Sequence, residues 1–409
     1  MQITAEMAGV ADAIPDLPRE TRSEILKRSG MIALIAFLTL VDLFGAQALL
    51  PTLVEAYNVS PREMGVAINA STIGMAATSL LVAAFGHRID RRRGIWLCLT
   101  LLSLPTAALA IAGDLGTFTA LRILQGAFMA AAFALTLTYL SEICTISALG
   151  GAMAAYITGN AASNLFGRLI ASGLADNLGL AHSFLGFAVL NLLGAVAAYL
   201  YFRSEADKGQ TDEVSNPART WRTHLANRRL RALIVAGFLL LFVFVATFTY
   251  ANFVLASDMF ALPQAAIGLA YLVFAPSILT TPLAARVVAR MGLAAAFAGG
   301  LVATMIGLAL LLSDWLPAFL AGLALVGAGL FFAQSVATAA VGRSVTSNHA
   351  IANGLYLASY YLGGIVGAFV AGLVFEAVGW SATILLLAVA SLVALAAAMW
   401  AVHGTDRRA

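Results

Sequence analysis

Charge is scarce in this chain of 409 residues, with 11% Asp, Glu, Lys or Arg against about 25% in ordinary soluble domains. A soluble protein of this size could not hide a sequence that is 61% hydrophobic, so lipid is the expected solvent and standing partner. Cysteine is almost missing. Cys98 and Cys144 both fall at or near segments expected on the cytoplasmic side, which excludes a disulfide framework and leaves free thiols. The histidines (His87, His182, His224, His349 and His403) are scattered at segment ends and make no metal cluster. No glycine-rich phosphate loop is present, which argues against ATP as the energy source. No serine or cysteine nucleophile grouping stands out either, so the chain is read as a non-enzyme without cofactor or nucleic-acid partner. The polar lead of residues 1–29 is long and charged, with no small-residue cleavage site, which excludes a secretory signal and suits a cytoplasmic tail.

What the chain does have is a recurring apolar segment. Spans are predicted near 30–51, 64–85, 95–113, 117–139, 149–174 and 182–202, then near 231–253, 265–286, 292–312, 316–338, 350–374 and 380–402. Twelve helices of about 20 residues match the thickness of a bilayer and satisfy their own backbone groups, as lipid demands. The predicted fold class is an all-α membrane protein with twelve transmembrane helices in two pseudo-symmetric six-helix bundles. Residues 30–202 and 231–402 form the bundles, 203–230 a cytoplasmic linker, and 1–29 and 403–409 cytoplasmic tails. With the N-terminus inside, 20 of the 23 Lys and Arg residues fall on cytoplasmic segments. Such asymmetry orients a membrane protein. The halves also echo each other at an offset of 200: Gly167 with Gly367, Asp176 with Glu376, Gly179 with Gly379.

Charge inside a span is costly and is a functional-site hypothesis by default. Three cases stand out: Asp42, Arg122 and Arg168. Burial opposes the charge of Asp42 and a nearby Arg favours it, so a proton-coupling or substrate-binding carboxylate competes with a fixed ion pair to Arg122 or Arg168. Arg122 does not titrate, so its role would be to tune a carboxylate or hold an anionic group. Gln125 follows it by one turn on nearly the same face, and Gln47 follows Asp42 in the first span. Polar groups for a central cavity are expected from Asn160, Asn164, Tyr250, Asn252, Gln334, Asn353, Tyr356 and Tyr360. Amides and aromatics in an apolar cleft suit a neutral or amphipathic small molecule.

Between the second and third spans stands Gly86-His87-Arg88-Ile89-Asp90-Arg91-Arg92-Arg93-Gly94. This loop resembles the cytoplasmic signature of the major facilitator superfamily, although Arg93 and Gly94 stand in the reverse of that family's order. The resemblance implies duplicated six-helix bundles with substrate bound midway between them, alternating access, and a proton gradient as energy source. In relatives the acid at Asp90 sits near the start of span 11 and pairs with basic residues of its own loop. Gly86, Asp90 and Arg91 are therefore expected to govern conformational exchange without touching substrate. Leu121-Arg122-Ile123-Leu124-Gln125-Gly126 resembles the span-4 motif whose Arg is assigned to proton transfer in drug/proton antiporters of that family. The span-5 antiporter motif is met only in part: Gly159, Ser163 and Gly167 are small, but its Gly-Pro step is missing. Asn160-Ala161-Ala162-Ser163 with Gly167-Arg168, Gln47 to Pro51, and Val59-Ser60-Pro61 resemble a branch of bacterial inner-membrane sugar or drug efflux permeases. The expected activity is proton-coupled efflux by a monomer, with proton-driven uptake as one alternative and a non-transporting sensor or scaffold as another.

Overall fold

The computed structural model describes residues 22–85, 89–143, 146–204, 217–344 and 349–402; Gly86 and Cys144 lie outside them. The described residues are helices joined by short turns. Helix α1 (Arg22–Ala48) is followed by α2 (Leu50–Tyr57), the break falling where Pro51 has no N–H to offer. Asn58, at φ 50, ends α2 in the left-handed conformation. Ser60 and Glu63 then form a capping box that starts α3 (Pro61–Asn69), and α4 (Ser71–Phe85) continues the same direction. There follow α5 (Arg91–Ala108), α6 (Leu115–Ile143), α7 (Ile146–Leu178) and α8 (Leu180–Ser204).

Part of the expected linker is helical: α9 (Pro217–Ala226) leads to Asn227, whose side chain caps α10 (Arg228–Ala256) and also donates to the Ser344 carbonyl at 2.9 Å. Next comes a segmented stretch: α11 (Gln264–Ala270), a 3-10 turn Tyr271–Phe274, α12 (Ala275–Thr280) and a second 3-10 turn Thr281–Leu283. Pro276 and Pro282 account for the segmentation, since neither can donate the bond a continuous helix needs. Helix α13 (Ala284–Leu310) bends at Gly292, φ 83, and α14 (Leu316–Ser344), α15 (His349–Val378) and α16 (Trp380–Val402) complete the order.

Among the described residues, ten helical stretches are long and apolar enough to cross a membrane. The predicted fifth span is one helix, α7, but Asn160, Asn164 and Arg168 make it more polar than those ten. The predicted eighth span is the segmented stretch, whose longest apolar part is Ala266–Thr280.

Small residues set which helices touch. A Cβ on Gly126 would overlap the Ser71 carbonyl, and one on Gly74 the Ile123 carbonyl, so α4 and α6 meet backbone to backbone. The offset of 200 recurs in three dimensions. Gly167 presses α7 onto the Val41 carbonyl of α1, and Gly367 presses α15 onto the Phe242 carbonyl of α10. Gly179 and Gly379 both take positive φ, 87 and 97, at the turns into α8 and α16. Only glycine adopts that conformation without strain. Across the middle, α3 and α4 lie against α15, and α7 lies against the segmented stretch.

Candidate functional site: two buried polar networks

Asp42 is 1% exposed, within the last two turns of α1. Its Oδ2 accepts from Asn191 Nδ2 of α8 and from Gln125 Nε2 of α6, both at 3.1 Å. The hydroxyl of Thr106 on α5 lies at the same distance, its single hydrogen also facing the Leu102 carbonyl. Four helices thus converge on one carboxylate oxygen. The other, Oδ1, is buried without a hydrogen bond. Arg122 is fully buried on α6 and does not touch Asp42. Its Nη1 donates to Gln125 Oε1 at 2.7 Å, its Nε to the Ile68 carbonyl at 2.9 Å and its Nη2 to Ser71 Oγ at 3.3 Å. The Gln125 amide is therefore the bridge from acid to base, and the fixed ion pair considered from sequence is absent among the described residues.

Arg168, also fully buried, sits on α7. Its Nη2 donates to Gln47 Oε1 at 2.7 Å and its Nε to Asn164 Oδ1 at 3.2 Å. Its guanidinium carbon lies 4.0 Å from the centroid of Tyr271, 5.4 Å from Phe274 and 5.9 Å from Phe248. The 3-10 turn explains the first two. Residues three apart eclipse in that geometry, so the rings of Tyr271 and Phe274 stack at 7° between planes and face the same cation. Cation–π attraction strengthens when desolvated. Among the described residues Arg168 has no carboxylate partner.

Gln47 ties the two halves together. Pro51 cannot donate to the Gln47 carbonyl four residues before it, and Asn252 Nδ2 of α10 bonds that carbonyl at 3.1 Å. Tyr271 in turn donates to Asn252 Oδ1. Gln47 Nε2 donates to Asn69 Oδ1 at 2.7 Å, and Asn69 Nδ2 to Thr249 Oγ1 at 3.0 Å. The two networks come within one residue of each other at the α3–α4 break. The Ile68 carbonyl accepts from Arg122, and the Asn69 side chain accepts from Gln47.

The structure brings Asp42, Arg122 and Gln125 into the first network and Gln47, Asn164, Arg168 and Asn252 into the second. Tyr250 stands apart, donating to the Ala368 carbonyl at 2.7 Å beside Phe375. Tyr356 donates to Gln334 Oε1 at 2.6 Å and stacks on Tyr360, forming a third cluster between α14 and α15. Asn353 is half-buried on the same helix as Tyr356, and Asn160 is half-buried on α7 with Oδ1 unbonded. Asp90 caps α5, accepting from the Arg93 amide at 3.0 Å, and Arg93 Nε lies 3.7 Å from its carboxylate. Arg91 is buried, donating to the Ile89 carbonyl at 2.7 Å. At the other end, Arg62 and Glu376 join the halves by an ion pair of 3.6 Å. A cavity of about 580 Å³ lined by Leu53, Tyr57, Leu109, Asp114 and Phe184 shares no residue with either network.

Sequence reasoning missed Thr106, Asn191, Asn69 and Tyr271. Asn191 carried a signal: it is a single amide in the middle of an otherwise apolar span, which lipid penalises unless it is bonded. Tyr271 carried none that separates it from a packed aromatic.

Among the described residues, ten membrane-length helices together with buried, hydrogen-bonded charge are the make-up of a multi-pass membrane protein. Residues 32–277 and 252–409 match the Major Facilitator Superfamily, and the chain belongs to it. It is 26% identical to the uncharacterized MFS-type transporter YybF of Bacillus subtilis, over 88% of this chain and 89% of that one. It is 29% identical to the inner membrane transport protein YnfM of Escherichia coli, over 87% of this chain and 86% of that one. In three dimensions it is similar to a crystal structure of a bacterial homolog to the human lysosomal transporter Spinster, inward-facing and occupied. The TM-score is 0.73 at 13% identity, over 95% of this chain and 99% of that one, a likeness of fold. Family and relatives make this a multi-pass membrane transporter of the secondary type.

Proposed function

We propose that the chain exports a small organic molecule across the bacterial inner membrane in exchange for protons, with Asp42 as the proton-carrying group. The observation that carries this reading is the asymmetry of the Asp42 carboxylate. Oδ2 holds the hydrogen bonds and Oδ1 has none. A proton arriving at Oδ1 would cancel the charge while leaving the bonds at Oδ2 in place. Because Arg122 reads that charge through Gln125 and is anchored to Ile68 and Ser71, a change at Asp42 is felt at the α3–α4 break. Those helices lie against the second half, so protonation can bias one arrangement of the halves over another.

The ten apolar stretches, with α7 and the segmented stretch as the fifth and eighth spans, support a twelve-span body in two halves. The basic segments put the Asp90 end in the cytoplasm and the Arg62–Glu376 end outside. The name of YnfM supports the inner membrane. On this reading the outer end is drawn together by Arg62 and Glu376, while Asp90 and Arg91 govern the inner end.

Everted vesicles acidified inside, challenged with a panel of sugars, dyes and antibiotics, test the reading. Antiport appears as alkalinisation of the lumen on addition of a substrate, and it disappears in Asp42→Asn. Alkalinisation of the external medium when a substrate is added to intact cells, as inward symport carries protons in with it, would instead establish uptake. No flux with any compound, in cells or vesicles, would remove the transport reading.

A further inference from the structure

Arg168 is a buried cation whose surroundings are built from oxygens and ring faces, with no anion among the described residues. Its Nη1 is buried and unbonded. So is Nδ2 of Asn164, the residue whose Oδ1 already accepts from Arg168. Two hydrogen-bond donors on two side chains bonded to each other therefore have no acceptor. An unmade bond on a buried charged group is far costlier than on a neutral one. A group with two acceptor oxygens and a negative charge is the chemical complement of this pair, because guanidinium and carboxylate match in a fork.

We infer that Arg168, supported by Asn164, receives the anionic group of a transported organic acid with a flat apolar body. The flat body follows from Tyr271, Phe274 and Phe248, whose rings face the guanidinium. The site is shared between the halves: Arg168 and Asn164 come from α7, the rings from α10 and the 3-10 turn. Separation of the halves there strips the rings from the cation, and the acid's charge and ring then replace what the cation has lost. Binding of the acid and separation of the halves at this site are in this way one event. The inference deepens the transport reading and rests on it for the word "transported"; the binding of an organic acid stands on the geometry alone.

The test uses the full-length chain in detergent, with benzoate as probe and benzamide and benzylammonium as its neutral and cationic controls. Benzoate is expected to raise the unfolding temperature in a saturable manner, and the controls are expected to leave it unmoved. Arg168→Gln should weaken the apparent benzoate affinity by roughly thirty-fold or more, as loss of a buried charge partner does. Asn164→Asp gives a second, independent reading, because it supplies the counter-charge from within the chain. That variant should be more heat-stable than the parent and indifferent to benzoate. Equal effects of benzoate and benzamide, no effect of benzoate, or undiminished benzoate binding in Asn164→Asp would each overturn the inference. Proteoliposome flux separates it from the transport reading. Gradient-driven movement of neutral or cationic compounds that survives Arg168→Gln sinks the acid site alone. Benzoate binding without flux of any compound sinks the transport reading alone.

Discussion

Asp42 and Arg122 face each other through the amide of Gln125 and do not touch. Gln125 gives its N–H to the acid at 3.1 Å and its oxygen to the guanidinium at 2.7 Å. A direct ion pair in so dry a place would bind the carboxylate tightly to its charge. The bridge keeps the opposite charges in communication while leaving one carboxylate oxygen unbonded.

Asp42→Asn is the neutral mimic of a permanently protonated acid. Gradient-driven transport should be lost in this variant while substrate exchange at zero gradient persists. Proteoliposomes loaded with the same compound on both sides measure the second quantity. Driven transport at the parent rate would remove Asp42 from the mechanism.

Gln125→Leu removes the bridge and strands a donor-rich cation beside an acid with one bond fewer. Breaking one partner of a buried charged network costs about 3–5 kcal/mol. The variant should unfold at clearly lower temperature in detergent, whereas Gln125→Glu, which keeps the acceptor for Arg122, should unfold closer to the parent.

Gly126→Ala sets a methyl group against the Ser71 carbonyl, which is backbone and cannot turn aside. Overpacking of this kind costs about 1–3 kcal/mol or more. The α4–α6 pair must separate, and the Arg122–Ser71 bond at 3.3 Å should break with it. Lower thermal stability together with lost proton coupling is the expected result, and an unaffected variant would show that the two helices have room to spare.

Glu376→Gln weakens the clasp between the halves at the Arg62 end. Exposed pairs contribute about 0.2–1 kcal/mol, and both side chains here are about one-third exposed, at 36% and 29%. Folding should hardly change, but that end should open more often. A cysteine introduced at Tyr250, behind the clasp, should react faster with a water-soluble thiol reagent in the Glu376→Gln background than without it.

Asp114 caps the start of α6, and the Thr117 hydroxyl and then its amide hold the carboxyl below the usual carboxylate range. A lowered value in the folded chain means stability that is full above the unfolded pKa, about 3.9, and lost as pH falls through the folded one. Acid titration of thermal stability should show this component, and Asp114→Asn should lack it while keeping the cap.

Much of the architecture was legible in the order of residues alone. Lipid demands long apolar helices, and the scarcity of charge made each exception visible. Asp42, Arg122 and Arg168 stood out for that reason, and Gln125 through its spacing from Arg122. The glycines at an offset of 200 were legible as a pattern, because the positive-φ turns at Gly179 and Gly379 accept little besides glycine and the close helix contacts at Gly167 and Gly367 leave no room for a Cβ.

Only the tertiary structure decided partnership. Asn191 and Thr106 lie 149 and 64 positions from Asp42, and nothing local to either residue says that four helices converge on one oxygen. The same holds for Asn252, which reaches the Gln47 carbonyl across 205 positions because Pro51 left that carbonyl without its helical donor. The sequence by itself determined that charge would be buried in lipid-embedded helices, since composition and spacing settle what must leave water. Which groups would meet those charges depended on how helices far apart in the chain pack, within the first half for Asp42 and Arg122 and across the halves for the rings on Arg168.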